Sequence, residues 1–291
     1  MKWISFIKDN KQSVGILENE KILSLAYLGY DFKDVNDVIL LEKHEYKKML
    51  DKISSYSGEY IDVDNIKIIA PINVPFQDVF CVGLNYGEHI VEANQYAEDS
   101  FVLKPKATVY FSKRVNQTVS YLDDVSCQKE YTNKFDYETE VAVILKEDCK
   151  NCTKENVKEK IFGYAVVNDY SARDLQTAHE QWYLGKSLDG MFAMGPYILS
   201  INECINVDDL KVKTYVNDEI RQNSSTKYMI KSIDEIIIEL SNYMTLKKGT
   251  IIATGTPSGV GMGFKPPKFL KEGDVVISEV EQLGYIKNKI V

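Results

Sequence analysis

With 291 residues, 44% of them hydrophobic and 27% charged, the chain is long enough for a sizeable core and too apolar to remain a disordered, solvating sequence. Its 43 acidic against 35 basic side chains give a formal charge of -8, and basic runs are absent. The mean field therefore repels nucleic acid and anionic lipid, and any acidic ligand needs a local cluster of Lys and Arg. Cys81, Cys127, Cys149, Cys152 and Cys204, with no apolar leader after Met1, suit a reducing compartment, so a soluble, cytoplasmic protein is expected. Apolar runs such as 141–145 and 236–238 fall far short of the ~20 residues a membrane-spanning helix needs.

In chain order, the opening segment reads as short strands joined by polar turns at 8–12 and 18–21, then a helical stretch near 40–54. Pro71 and Pro75 in an extended stretch mark an expected boundary, with a small N-terminal domain at 1–70 and a larger one at 71–291. Strands are expected at 109–113, 136–145, 161–169, 211–218, 250–255 and 274–280. Helices are expected at 85–94, 171–183 and 232–244. Helices do not follow each strand in turn, which disfavours a doubly wound sheet and points to a β-rich α+β fold.

In DYETEVAVIL (136–145), alternation puts Glu138, Glu140, Ala142 and Ile144 on one face and Tyr137, Thr139, Val141 and Val143 on the other. Two carboxylates ~7 Å apart on a strand whose later residues are apolar on both faces repel one another unless a cation compensates them. The competing reading is the solvated face of an edge strand. The strand GYAVVND ends at Asp169, and Ser171 with Asp174 has the spacing of a capping box that opens the next helix. Asp169 can be a plain turn residue or part of a site built where strand meets helix. Glu138, Glu140 and Asp169 together form a hard, all-oxygen ligand set that suits Mg²⁺ or Mn²⁺ rather than Zn²⁺ or copper. Such an ion can be chelated by neighbouring oxygens of a 2-oxo acid and can stabilise the enolate formed when the adjacent C–C bond breaks.

On the following helix Arg173, Gln176 and Thr177 lie at i, i+3 and i+4 and share a face, as they would on an exposed helix. Lys186, between Gly185 and Ser187, is either a surface turn residue or an inward ammonium that polarises a carbonyl. In ATGTPSGVGMG, Thr254, Gly255 and Thr256 form a turn whose N–H and hydroxyl groups could hold a carboxylate. Neither nucleotide-binding glycine motif fits. His89 has Glu92 three residues on, so a carboxylate can orient the imidazole as a general base, or the two can be a surface pair. Cys149 and Cys152 lack a second cysteine pair for zinc and a βαβ context for redox chemistry, and read as an inert loop.

Taken in order, GLNYGEHIVEAN (83–94), YFSKRVN (110–116), DYETEVAVIL (136–145), GYAVVNDYSARDLQ (163–176), WYLGKSLDGMFAMGP (182–196), VNDEIRQ (216–222) and TGTPSGVGMG (254–263) resemble the fumarylacetoacetate hydrolase family over about residues 70–291. The resemblance implies a catalytic domain of mixed rolled β-sheets preceded by a small domain, usually dimeric. It also implies one Mg²⁺ or Mn²⁺ on Glu138, Glu140 and Asp169, the three that the strand reading selects. It places His89 and Glu92 on a lid, Lys186 and Gln176 on the oxo-acid oxygens, Thr256 at the carboxylate end, and Arg173 and Lys113 among the substrate contacts. Gly87, Ala193 and a longer stretch at 95–105 depart from the family pattern. The activity expected is hydrolysis of an acylpyruvate or related 1,3-diketo acid, a small anionic 2-oxo acid. The alternatives are oxaloacetate decarboxylation, keto–enol tautomerisation, isomerisation of catechol-pathway dicarboxylates, or a binding protein without turnover.

Overall fold

The computed structural model describes residues 1–96, 106–179 and 181–291, with the side chains of 95 and 96 left out. Most of the 95–105 stretch noted above therefore lies outside the described residues. The main sheet has eleven strands. It runs from Ile61–Asp62 through Lys21–Ser24, Lys11–Glu18, Lys2–Lys8, Phe192–Ser200, Ile161–Asp169, Thr139–Leu145, Ile251–Ala253 and Val79–Gly83 to Val109–Lys113, with Lys67–Ile69 also paired to Lys2–Lys8. Ile251–Ala253 and Val79–Gly83 run parallel, and the other pairs are antiparallel. A second, antiparallel sheet of four strands orders Glu219–Ser225, Lys211–Val216, Val275–Val280 and Gly284–Lys289. This is the β-rich α+β architecture that the sequence implies.

The central strands follow from their side chains. Ile161–Asp169 is buried at every position, the near-continuous apolar run of a strand covered on both faces. Along Thr139–Leu145, Val141, Val143 and Leu145 face a core shared with Val212, Val276 and the helix Ile233–Tyr243. Ala142 and Ile144 face a second core built with Val35, Val38 and Met49 of the N-terminal helices. Thr139 joins the two sheets directly, with its Oγ1 2.5 Å from Thr214 Oγ1 and 2.7 Å from Ser278 Oγ. The helix Ile233–Tyr243 begins in a complete capping box made by Ser232 and Glu235.

The expected boundary at residue 70 is crossed by the main sheet. Lys2–Lys8 pairs with Phe192–Ser200, and Trp3 Nε1 donates to Ser200 Oγ at 2.8 Å. The expected helix at 171–183 is corrected: Ser171–Ala172 is a short strand against Phe135–Asp136, the helix is only Arg173–Ala178, and a separate turn forms at Tyr183–Lys186. The Ser171–Asp174 capping box is absent because a local carbonyl takes the Ser171 hydroxyl and distant partners take the Asp174 carboxylate. Ser171 Oγ donates to the Asp169 carbonyl at 2.9 Å, while Asp174 accepts from the Thr132 hydroxyl and the Asn133 amide. Likewise the expected strand at 136–145 breaks into Phe135–Asp136 and Thr139–Leu145. No helix among the described residues is long and apolar enough to cross a membrane.

Candidate active site

The site lies at one end of the interior strands of the main sheet, where Val79–Gly83, Ile161–Asp169 and Ile251–Ala253 end and Thr139–Leu145 begins. Antiparallel pairing sets Val167 opposite Glu140, and the Asp169 amide donates to the Glu138 carbonyl at 2.9 Å. Since side chains two apart share a face, this register brings Glu138, Glu140 and Asp169 together. One oxygen from each lies within 4.8 Å of the others, and all three residues are buried. The period-2 reading of Glu138 and Glu140 therefore holds, and the solvated edge-strand alternative does not.

Three buried cations surround the carboxylates. Lys186 Nζ donates to Glu138 Oε2 at 2.6 Å and to Asp169 Oδ2 at 2.8 Å. Lys113 Nζ donates to Asp169 Oδ1 at 2.5 Å and to the Tyr170 carbonyl at 2.8 Å. Arg173 reaches Glu138 Oε1 with Nη1 at 2.6 Å and Asp136 Oδ2 with Nε at 2.9 Å, while its Nη2 is buried with no hydrogen-bond partner among the described residues. Burial alone would raise the Glu138 carboxyl, but the charges of Lys186 and Arg173, with the Lys186 hydrogen bond, outweigh it and hold the group well below the usual range. Glu140 behaves oppositely. Burial, followed by repulsion from Asp169 and Glu138, pushes it well above that range. Burial depresses Lys113, whereas the attraction of Asp169 and Glu138 overcomes burial at Lys186 and raises it.

Glu140 makes no ion pair among the described residues, and it accepts the Gly255 amide at 2.7 Å. A clustered carboxylate left without its own counter-charge is the expected mark of a cation site, and three oxygen donors without His or Cys suit a hard divalent ion. The residues present therefore fit Mg²⁺ or Mn²⁺.

A cavity of about 740 Å³ opens over this cluster, and its wall includes Glu138, Glu140, Arg173, Lys186 and His89. The helix Gly87–Tyr96 carries His89, which is buried with Nδ1 3.0 Å from Glu92 Oε2. Glu92 Oε1 accepts the Gly259 amide at 2.9 Å. A carboxylate on Nδ1 fixes the neutral ring with its proton there and leaves Nε2 free to accept one. The dyad is thus an interior arrangement rather than a surface pair. Gly87 has open space around it, so its lack of a side chain answers no packing demand.

The remaining expected residues divide. Gln176 and Thr177 both line the cavity, with Gln176 Oε1 committed to Arg173 Nη1 at 3.0 Å and the Thr177 hydroxyl turned back to the Arg173 carbonyl. Lys186 lines the cavity and is 1% exposed, which excludes the surface-turn reading. Gly185 permits this, because a Cβ there would meet the Gln176 amide nitrogen at 2.4 Å. Thr256 is on the wall, but its hydroxyl donates to the Thr139 carbonyl and accepts from Gln222 Nε2. Two expected substrate contacts are corrected. Lys113 is 0% exposed beneath Asp169, off the cavity wall, and Gly255 spends its amide on Glu140. Cys149 and Cys152 are buried in a loop remote from the cavity wall. Sequence reasoning passed over Asp136, fully buried and bonded to Arg173, although D-x-E-x-E continues the same alternation. It also passed over Phe111 and Trp182, whose edge-on rings, 5.3 Å apart, form an apolar wall.

Residues 78–291 match the family model described as Fumarylacetoacetate (FAA) hydrolase C-terminal. The chain belongs to the fumarylacetoacetate hydrolase family. Within this family it is 40% identical over 244 residues to "Oxaloacetate tautomerase YisK" of Bacillus subtilis (strain 168), covering 84% of this chain and 78% of that protein. The structure of a fumarylacetoacetate hydrolase from psychrophilic Exiguobacterium antarcticum superposes with a TM-score of 0.83 at 34% identity, covering 100% of this chain and 99% of the other. A maleylpyruvate hydrolase from Sphingobium sp. SYK-6, in complex with manganese(II) ion and pyruvate, shares the fold, with a TM-score of 0.76 at 23% identity over 100% of this chain and 99% of its own. Family membership makes the chain an enzyme type acting on oxo acids.

Proposed function

We propose that the protein is a divalent-metal-dependent hydrolase that cleaves the C–C bond of an acylpyruvate or related 1,3-diketo acid. One observation carries this reading: Glu138 and Glu140 open on the same cavity as His89, whose ring is oriented by Glu92. Glu138, Glu140 and Asp169 would hold the Mg²⁺ or Mn²⁺, in keeping with the manganese(II) and pyruvate named for the Sphingobium relative. When bound, the ion supplies Lewis acidity toward the adjacent oxygens of a 2-oxo acid.

The protein's own groups handle the rest. With its Nδ1 proton held by Glu92, His89 accepts a proton from water at Nε2, and the water oxygen bonds to the acyl carbonyl carbon. The bond from that carbon to C3 of the pyruvate half then breaks, and its electron pair passes to C3. The imidazolium returns the proton to C3, which leaves a carboxylic acid and pyruvate. Lys186 and Arg173 present positive charge to the oxygens where negative charge develops.

The Bacillus subtilis relative favours a second reading, oxaloacetate tautomerisation, in which His89 moves a proton between C3 and the C2 oxygen with no bond to water. A homodimer in the cytoplasm belongs to the same proposal, and light scattering of the purified protein checks its stoichiometry.

The test has two stages. Metal-stripped protein is titrated with Mg²⁺ and Mn²⁺, with and without oxalate, beside Glu138→Ala/Glu140→Ala. Products from acetylpyruvate and oxaloacetate are then followed by NMR. Hydrolysis yields two acids, decarboxylation yields CO₂, and tautomerisation changes the keto–enol ratio alone. Absence of metal binding by the parent would remove the reading.

A further inference from the structure

Asp136 is fully buried and is neither one of the three clustered carboxylates nor on the cavity wall. It nevertheless gathers four donors. Oδ1 accepts the amides of Tyr137 at 2.9 Å and Gly261 at 2.7 Å, and Oδ2 accepts Arg173 Nε at 2.9 Å and the Met262 amide at 3.0 Å. Two successive amides converging on one carboxylate form an anion-holding turn with the anion built in. Asp136 therefore fixes where the loop at 259–263 runs.

That loop backs the dyad. The Gly259 amide holds Glu92 Oε1, and a Cβ at Gly263 would stand 1.8 Å from the same oxygen, so the backbone lies directly against the carboxylate that orients His89. In the other direction Arg173 continues to Glu138 Oε1 at 2.6 Å. We propose that Asp136 is a positioning residue that sets the His89 ring by pinning the 259–263 loop against Glu92, and that ties this alignment to the Arg173–Glu138 arm of the carboxylate cluster. The inference rests on the reading in which His89 moves the proton. An Asn here presents an amide NH₂ where an oxygen now accepts, facing donors that cannot pair with it.

The test is the tautomeric state of His89 in histidine-labelled protein. The chain has three histidines, so signals are assigned from His44→Gln, His89→Gln and His179→Gln. The parent is expected to show the neutral His89 ring with its proton on Nδ1. Asp136→Asn is expected to average the two tautomers while still binding Mg²⁺. Where turnover is measurable, kcat should fall roughly 100-fold, with KM within about threefold, as for a displaced rather than a missing catalytic group. Met262→Pro removes one loop-to-Asp136 bond and also constrains the backbone at 261–262, so a shift of the His89 tautomer in the same direction decides the matter if Asp136→Asn does not fold. A parent-like His89 spectrum in the folded variant, or lost turnover with His89 unchanged, overturns the proposal. Because the spectrum needs no turnover, a parent inactive on every oxo acid would remove the hydrolase reading and with it the catalytic meaning of this alignment, while the spectrum would still decide whether Asp136 sets the ring.

Discussion

Replacing Lys186 with Met should weaken the apo-protein, tighten its hold on metal, and abolish turnover. The cluster has five ion pairs: Lys186–Glu138, Lys186–Asp169, Lys113–Asp169, Arg173–Glu138 and Arg173–Asp136. Lys186 makes two of them, so its loss leaves Glu138 and Asp169 with one cation each. Removing one partner of a buried pair costs about 3–5 kcal/mol. At roughly 2–4 °C per kcal/mol for a chain approaching this size, the melting temperature in EDTA should drop by about 6–20 °C. A divalent ion seeks the same carboxylate oxygens that Lys186 now occupies. Without the ammonium it meets less repulsion and should bind at least about tenfold more tightly, a difference of ~1.4 kcal/mol. Thermal melts with EDTA and with a Mg²⁺ series read both effects, since ligand binding raises apparent stability in proportion to RT ln(1 + [L]/Kd). A metal-induced rise in melting temperature no larger in Lys186→Met than in the parent would refute the idea that ion and ammonium share these oxygens.

Other perturbations have outcomes that the same structure fixes. His89→Ala should lose about 10²–10⁴ in turnover with Mg²⁺ affinity within roughly threefold of the parent, as steady-state rates and calorimetry will read. Burial, together with the neighbouring Cys152, pushes the Cys149 thiol from 9.0 to about 12, and burial pushes the Tyr46 and Tyr197 hydroxyls from 10.0 to about 12. These acids bind their protons more tightly when folded, so their contribution to stability is complete below pH 9 and declines as pH rises toward 12. Denaturant midpoints should fall across that window, and native Cys149 should resist thiol reagents near pH 8. Trp3 is 0% exposed and packs 5.6 Å from the Phe162 ring, so Trp3→Ala should cost about 3–5 kcal/mol. Because one sheet spans residue 70, calorimetry should show a single transition moving as a whole.

The parts of the site that were legible in the sequence are those that depend on local periodicity. Alternation along 136–145 put Glu138 and Glu140 on one face, and the strand run ending at Asp169 put a third carboxylate at a strand end. Their meeting depends on the pairing of Ile161–Asp169 with Thr139–Leu145, which no spacing rule supplies; the residues were grouped by ligand chemistry, and the family resemblance implied the same three. The helix expected at 171–183 failed where distant partners outbid local ones: Asp174 turned to Thr132 and Asn133, and the capping box never formed. The burial of Lys186 arises from Gly185 lying against Gln176, a contact between the helix Arg173–Ala178 and the separate turn Tyr183–Lys186. Lys113 resembled a substrate contact only because nothing in YFSKRVN reveals which side of Asp169 the ammonium takes.

Charge balance argues for an order of binding. Asp136, Glu138 and Asp169 balance Lys113, Arg173 and Lys186, so once Glu140 gives up the proton that burial favours, as metal ligation requires, the cluster carries one excess negative charge. An anionic oxo acid entering this cavity first would bring a negative charge that nothing there compensates into a buried setting, where such a charge is costly. A divalent cation reverses the sign of the cluster, and the carboxylate of the oxo acid then returns it to neutrality. Oxalate should therefore bind weakly or not at all in EDTA and readily once Mg²⁺ or Mn²⁺ is present. Calorimetry in the two orders of addition measures the coupling, which must be the same in either direction by linkage. Oxalate binding of equal strength with and without the ion would mean that Lys186 and Arg173 alone hold the anion, and that the carboxylates serve chiefly to hold those two cations in place.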